Sequence, residues 1–135
     1  REFGFTDGDA IDRFAELPLD EEELDRLARR LKTPLRFRQA ALHYRRYREA
    51  LSEWRSCEVG RLVDALVELK VVHQLDAFER LAGLLDRHGA EDVAGLMALA
   101  VGLAAVSVDD STTGAAFGEA LRAARIRWVE RQRER

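Results

Sequence analysis

Residues 19–56 read LDEEELDRLARRLKTPLRFRQAALHYRRYREALSEWRS, a stretch that predicts two consecutive helices and the junction between them. Asp20 precedes the first turn and Glu23 follows three residues later, which is the spacing of a capping box. Thr33 must leave the helical conformation because Pro34 follows it. The pair also suits the start of a second helix, with Thr33 as its N-cap and Pro34 in its first position.

The second of these helices, about 34–56, carries an apolar and aromatic seam. Its members recur at alternating spacings of three and four residues, and they are Phe37, Ala40, Tyr44, Tyr47, Leu51 and Trp54. Such a heptad pattern is typical of helices that pack side by side. It covers three heptads at most, so we expect a packed helix pair rather than a long coiled coil.

Helical spacing of apolar residues continues on both sides of this stretch. It predicts helices over about 9–17, 57–72, 76–88, 91–105 and 114–132, with a second capping pair at Asp76 and Glu79 and a terminating glycine at Gly89. No run alternates in the manner of a strand. The sequence therefore predicts an all-α fold, a compact bundle of about five to six helices with short connections. We expect one domain over 1–135, with an N-terminal arm at 1–8 and a frayed tail at 131–135.

The longest uncharged run is Val93–Val108. Its 16 residues are fewer than the roughly 20 that a membrane-spanning helix needs. A stripe of small residues (Gly95, Ala98, Gly102 and Ala105) lies on one side of the run. We therefore expect this helix to be buried in the middle of the bundle, with a close neighbour on the small residues.

Composition gives a broad class but no activity. The chain is 47% hydrophobic and 35% charged, which is typical of a folded globular protein. One cysteine excludes an internal disulfide, and no signal or transit peptide is evident, so we expect a cytoplasmic protein without a membrane partner. Asparagine is absent and lysine occurs only as Lys32 and Lys70, which suggests a GC-rich, bacterial genome.

Charge is segregated along the chain although the net charge is only −3. Residues 26–55 contain 10 basic and 2 acidic residues, whereas residues 1–25 contain 2 basic and 10 acidic residues. On the heptad, Arg38, Arg45 and Arg46 point away from the seam. The candidate basic surface consists of Arg29, Arg30, Arg36, Arg38, Arg45, Arg46, Arg48 and Arg55.

Two interpretations of this basic surface remain open. The arginines can pair with acidic segments of the same chain or of a partner. Alternatively, they can bind the phosphates of nucleic acid, because the planar guanidinium donates paired hydrogen bonds to phosphate oxygens. Tyr44, Tyr47 and Trp54 would stack on bases only if they were exposed, and their place in the seam favours the core.

Motifs for common chemistries are missing from the sequence. There is no HExxH, CxxC, GxxxxGK[ST], GxGxxG or GxSxG. No Glu-x-x-His precedes any of the three histidines, so a carboxylate-bridged metal site is not expected, and neither is a cofactor. Cys57 has no second cysteine and is expected to be a half-buried structural residue.

The segment Arg38–Tyr44, RQAALHY, resembles the Arg-x4-His element of the HEPN nucleases. That family has an all-helical, often dimeric fold and cleaves RNA, so the resemblance implies Arg38 and His43 as the active pair. Residues five apart in a helix are separated by about 140° around the axis, which places these two on different faces.

The sequence as a whole favours contacts over chemistry. We therefore predict a non-enzymatic helical protein–protein interaction domain, a subunit or adaptor of an intracellular assembly, with a protein partner or a second copy of itself. The alternative is a helical subunit that binds nucleic-acid backbone through residues 26–55. A HEPN-like RNase is the third hypothesis.

Overall fold

The computed structural model describes residues 7–72, 76–108 and 114–134. Within them it contains seven helices and no strand, so the all-α prediction is confirmed, while the predicted count of five to six is too low. The helices are α1 (Asp7–Ala15), α2 (Glu21–Leu31), α3 (Leu35–Ser52), α4 (Val59–Leu66), continued by a π-helical segment (Val67–Val72), α5 (Ala77–Arg87), α6 (Val93–Ala104) and α7 (Gly114–Arg133).

Helix α2 begins at the predicted capping box. The side chain of Asp20 accepts a hydrogen bond from the N–H of Glu23 at 2.8 Å, and the Glu23 side chain accepts one from the N–H of Asp20 at 3.1 Å. The helix ends at Lys32, which adopts a left-handed conformation with φ 52°. The N–H of Thr33 then donates to the carbonyl of Ala28 at 2.9 Å, which satisfies one of the last carbonyls of the helix.

Two other predicted caps are wrong. Pro34 itself is the N-cap of α3, and no side chain caps that helix, so Thr33 does not serve this purpose. Asp76 takes a left-handed φ of 58° and makes no capping hydrogen bond. Glu79, its predicted partner, pairs instead with Lys70. Gly89 is placed as predicted, with φ 84° immediately after α5.

The centre of the fold is α4 rather than α6. Leu62, Val63 and Leu66 of α4 and Leu69 of the π-helical segment are fully buried. Around them pack the buried apolar residues of the other helices, which are Leu51, Trp54, Phe78, Leu81, Ala82, Leu85, Val93, Leu96, Leu99, Ala100, Leu103 and Val129. A smaller cluster joins α1, α2, α3 and α5 through Ala15, Leu24, Ala41 and Leu84.

Only part of each terminal segment belongs to the described residues. Residues 1–6 of the predicted arm are outside the described residues, and α1 starts at Asp7. Helix α7 continues to Arg133, through most of the segment for which fraying was expected. There Arg133 donates hydrogen bonds to the carbonyls of Trp54 at 2.9 Å and Cys57 at 2.8 Å.

Candidate functional site

The outward-facing arginines of the basic segment pair with carboxylates of the same chain. Arg38 pairs with Asp25 on α2. Arg46 donates to Glu21 at 3.1 Å, and this hydrogen bond raises the pKa of the Arg46 guanidinium. Two arginines of α3 are therefore paired with carboxylates of α2.

Arg45 does not face outward as the heptad suggested. It donates to the carbonyls of Leu19 at 2.6 Å, Ala15 at 2.9 Å and Ala41 at 3.0 Å, and also to the carbonyl of Leu17. Burial is the main reason that its pKa is lowered, followed by the neighbouring charge of Arg48. Arg45 thus fixes the connection between α1 and α2 onto α3.

Arg55 supports the start of α6. Its guanidinium donates to Oδ2 of Asp92 at 2.5 Å and 3.2 Å, while Oδ1 of Asp92 accepts the N–H of Gly95 at 3.1 Å. The hydrogen bond from Arg55, followed by the one from Gly95, lowers the pKa of the Asp92 carboxyl. The indole Nε1 of Trp54 donates to the carbonyl of Asp92 at 3.2 Å.

The other predicted basic residues have different surroundings. Arg29 pairs with Asp25 at 2.9 Å. The guanidinium carbons of Arg36 and Arg48 lie 5.8 Å and 5.5 Å from the ring centroids of Phe37 and Tyr44. Arg30 is exposed. The eight residues therefore do not form one uniform phosphate-binding surface, because at least Arg45 is committed to backbone carbonyls and Arg38, Arg46 and Arg55 are committed to carboxylates.

The aromatic seam is part of the core, as its spacing suggested. Trp54 is 5% exposed, and Tyr44 and Tyr47 are partly buried against the central cluster. Burial raises the pKa of the Tyr47 hydroxyl, with Glu68 as the next cause. None of the three rings is placed as an open platform for a base.

Arg38 and His43 are not brought together. Arg38 pairs with Asp25. The centroid of the His43 ring lies 6.2 Å from the centroid of the Tyr47 ring, and His43 lines a separate cavity. Helix α3 is continuous across both positions, so the angular separation expected for residues five apart is retained.

Cys57 is partly buried, and burial is the main reason that its thiol pKa is raised. This agrees with a structural residue, because the reactive species is the thiolate. Among residues 7–72, 76–108 and 114–134, no three His, Cys, Asp or Glu side chains are grouped so as to hold a metal ion. No helix in the same described part of the chain has the length and apolar character to cross a membrane.

Helix α6 exposes an apolar face. Val93, Leu96, Leu99, Ala100 and Leu103 are buried as expected, but the opposite side of the helix is exposed, so α6 is not enclosed in the middle of the bundle. This α6 outer face consists of Ala94, Met97, Ala98, Val101, Ala104 and Ala105. Val101 is 63% exposed and Met97 41% exposed. The sequence showed that the helix is apolar all round, but not that one side is left exposed by the other described helices.

Part of the small-residue stripe of α6 packs against α7, and part of it is exposed. A Cβ added to Gly102 would lie 2.5 Å from two ring carbons of Trp128, so this glycine admits a close neighbour from α7 as expected. Ala98 and Ala105 instead belong to the exposed outer face. Val129, the neighbour of Trp128 on α7, is fully buried in the central cluster.

A cavity of about 200 Å³ lies between α3 and α5. Its walls are formed by Ala40, Ala77, Leu81 and Leu84, and its polar groups come from Arg36, Gln39, His43 and Arg80. Sequence reasoning missed it because it depends on how two distant helices pack. The only signal available was the i, i+3, i+4, i+7 spacing of Arg36, Gln39, Ala40 and His43 on one face of α3.

No family model, curated protein or solved structure matches this chain.

Proposed function

We propose that this chain is a non-enzymatic protein–protein interaction domain that associates with a second copy of itself through the α6 outer face. The observation that carries the proposal is the exposure of six apolar residues along one side of a helix without charged residues. Contiguous exposed apolar surface of this kind marks interaction sites in soluble proteins.

The order of residues on this face favours a second copy as the partner. A twofold axis through the middle of α6, between Leu99 and Ala100, sets Val101 of one helix opposite Ala98 of the other. The same axis sets Ala94 opposite Ala105. At these positions a valine meets an alanine and an alanine meets an alanine, which is the self-complementarity that an isologous interface requires. Alanines also let two helix axes approach to about 8 Å.

The dimensions of the face predict a weak dimer. A helix of 12 residues is about 18 Å long, and a single helix pair of this length buries less than the roughly 1,200 Å² typical of stable complexes. We therefore expect the dimer to have a dissociation constant in the micromolar range or higher.

The test is a comparison of two charge substitutions at equally exposed valines. Val101 and Val72 are both 63% exposed, but only Val101 belongs to the α6 outer face. Sedimentation equilibrium should show a concentration-dependent dimer for the wild type and for Val72→Glu. It should show a monomer for Val101→Glu with an unchanged melting temperature. A wild type that remains monomeric at about 1 mM, a concentration at which even a weak pair associates, contradicts the proposal.

Nucleic-acid binding is a competing function with its own observation. Arg127 and Arg131 of α7 line one surface groove with Glu130 and Glu134. Arg55, which pairs with Asp92, and Arg133, which donates to the carbonyls of Trp54 and Cys57, line the same groove. A phosphate-binding groove would give an affinity for generic DNA that falls steeply as salt rises. Arg127→Glu should then abolish an electrophoretic shift that Val101→Glu leaves intact. The absence of any shift at low salt favours the protein–protein proposal.

A further inference from the structure

We propose that the cavity between α3 and α5 binds a small organic carboxylate whose apolar body is about the size of one aromatic ring. The site is independent of the α6 outer face, because no α6 residue lines it.

The size of the cavity limits the apolar part of the ligand. Its volume is about 200 Å³. A dry apolar cavity of about 150 Å³ accepts benzene, whereas sites for larger molecules run from about 300 Å³ upward. One ring or a short branched chain therefore fits, and a nucleotide or a fused-ring cofactor does not.

The floor of the cavity is apolar and well ordered by packing. Leu81 and Leu84 are 3% and 1% exposed, so their positions are fixed by the core. Ala40 and Ala77 contribute only a methyl group each, which leaves the space between the two helices unfilled. An apolar ligand body placed there would gain from leaving water without displacing any side chain.

The polar residues of the cavity favour an anion. Two guanidiniums, a carboxamide and an imidazole line it, and among the described residues no carboxylate belongs to its lining. Arg80 pairs with Asp12 at 3.5 Å and with Asp76 at 3.3 Å. Arg36 is the more exposed of the two arginines. Because its side chain is more accessible to an entering ligand, we assign Arg36 as the main contact of the ligand carboxylate.

A second positive contribution comes from the start of α5. Ala77 is both the first residue of this 11-residue helix and part of the cavity wall. The N-terminal end of a helix carries a partial positive charge, which favours a nearby anion. The helix end and Arg36 thus act in the same direction.

Benzoate is the probe for this site, and benzyl alcohol is its uncharged counterpart of nearly equal size. Titration of the isotope-labelled chain followed by NMR should show saturable shifts for benzoate, confined to amides of α3 and α5. Binding of benzyl alcohol should be about tenfold weaker, because it lacks the charged hydrogen bond to Arg36.

Three variants complete the experiment. Arg36→Gln should weaken benzoate binding about tenfold, and Ala40→Leu should abolish it by filling the cavity. Arg48→Gln, an exposed arginine on the same helix away from the cavity, should leave it unchanged. Arg36 is exposed, so its variant should keep the wild-type fold even if Ala40→Leu does not. The assignment would be overturned if the chemical shifts did not saturate by about 20 mM benzoate, or if Arg36→Gln bound benzoate as tightly as the wild type.

Discussion

Arg45→Met is the substitution that should most directly reveal how the N-terminal helices are attached. The guanidinium of Arg45 donates to the carbonyls of Ala15, Leu17 and Leu19, which lie at or after the end of α1. The carbonyl of Ala15 is one of the last four of α1, which a helix C-terminus leaves without intrahelical partners. Arg45 therefore acts as a C-cap supplied by another helix, and its positive charge also suits the negative end of the α1 dipole.

The expected loss follows from the number of hydrogen bonds removed. Three bonds join Arg45 to the segment 15–19. A hydrogen bond to a charged group contributes about 1.5–3 kcal/mol when buried, and the partial exposure of Arg45 places each bond near 1 kcal/mol. Methionine keeps much of the apolar stem, so the free energy of unfolding should fall by about 3 kcal/mol, out of the 5–15 kcal/mol typical of a domain.

Urea unfolding followed by far-ultraviolet circular dichroism measures this loss, with Arg48→Met as the matched control. Arg48 occupies the same helix three residues later and is exposed, and its guanidinium lies over the face of the Tyr44 ring. Its replacement should change stability by less than about 1 kcal/mol, as is usual for exposed charges. Equal losses in the two variants would refute the capping role of Arg45.

Three further substitutions test local features of the fold. Lys32→Gly should stabilise the protein by about 1 kcal/mol in a thermal melt, because the left-handed conformation at this position is free of strain only for glycine; unchanged stability would contradict this. Gly102→Ala should destabilise by about 1–3 kcal/mol through overlap with Trp128, whereas Gly118→Ala, whose added Cβ would meet nothing within 4 Å, should not. Glu58→Gln tests pH dependence: backbone hydrogen bonds hold the pKa of Glu58 below its usual value, so its charge stabilises the fold at neutral pH, and this contribution is lost as pH falls through the lowered pKa. The variant should be less stable than the wild type at pH 7, and the difference should shrink as the pH falls below the usual pKa of a glutamate carboxyl. A difference independent of pH would contradict this assignment.

The helices were predictable from the sequence where the signal is local. The capping box at Asp20 and Glu23 and the glycine after α5 depend on a few neighbouring residues, and both are present as expected. Asp76 failed as a cap although its spacing to Glu79 was suitable. Glu79 is engaged by Lys70 of the preceding helical segment instead, a competition between elements that spacing alone does not reveal.

The candidate sites were less predictable because they depend on which helices become neighbours. The sequence showed that α6 is apolar all round, and burial was the natural inference. Helix α4 occupies the centre instead, since Gly60, Leu62, Val63, Ala65 and Leu66 are all buried. At about 100° per residue, these five positions cover more than half of the helix circumference. In the same way, heptad position placed Arg45 outward, but a long flexible side chain can turn toward unsatisfied carbonyls that only the tertiary structure brings near.

The π-helical segment Val67–Val72 gives the central helix a particular tolerance to changes in chain length. A π-helical turn holds one residue more than an α-helical turn between hydrogen-bonded partners, so it represents a single surplus residue in the segment that continues α4. Deleting one residue there allows the turn to close as an α-helix while Leu62 and Leu66 keep their positions. A deletion within Val59–Leu66 would instead rotate the whole buried face by one residue, or about 100°. Natural length variation in this helix should therefore be confined to the six residues of the π-helical segment.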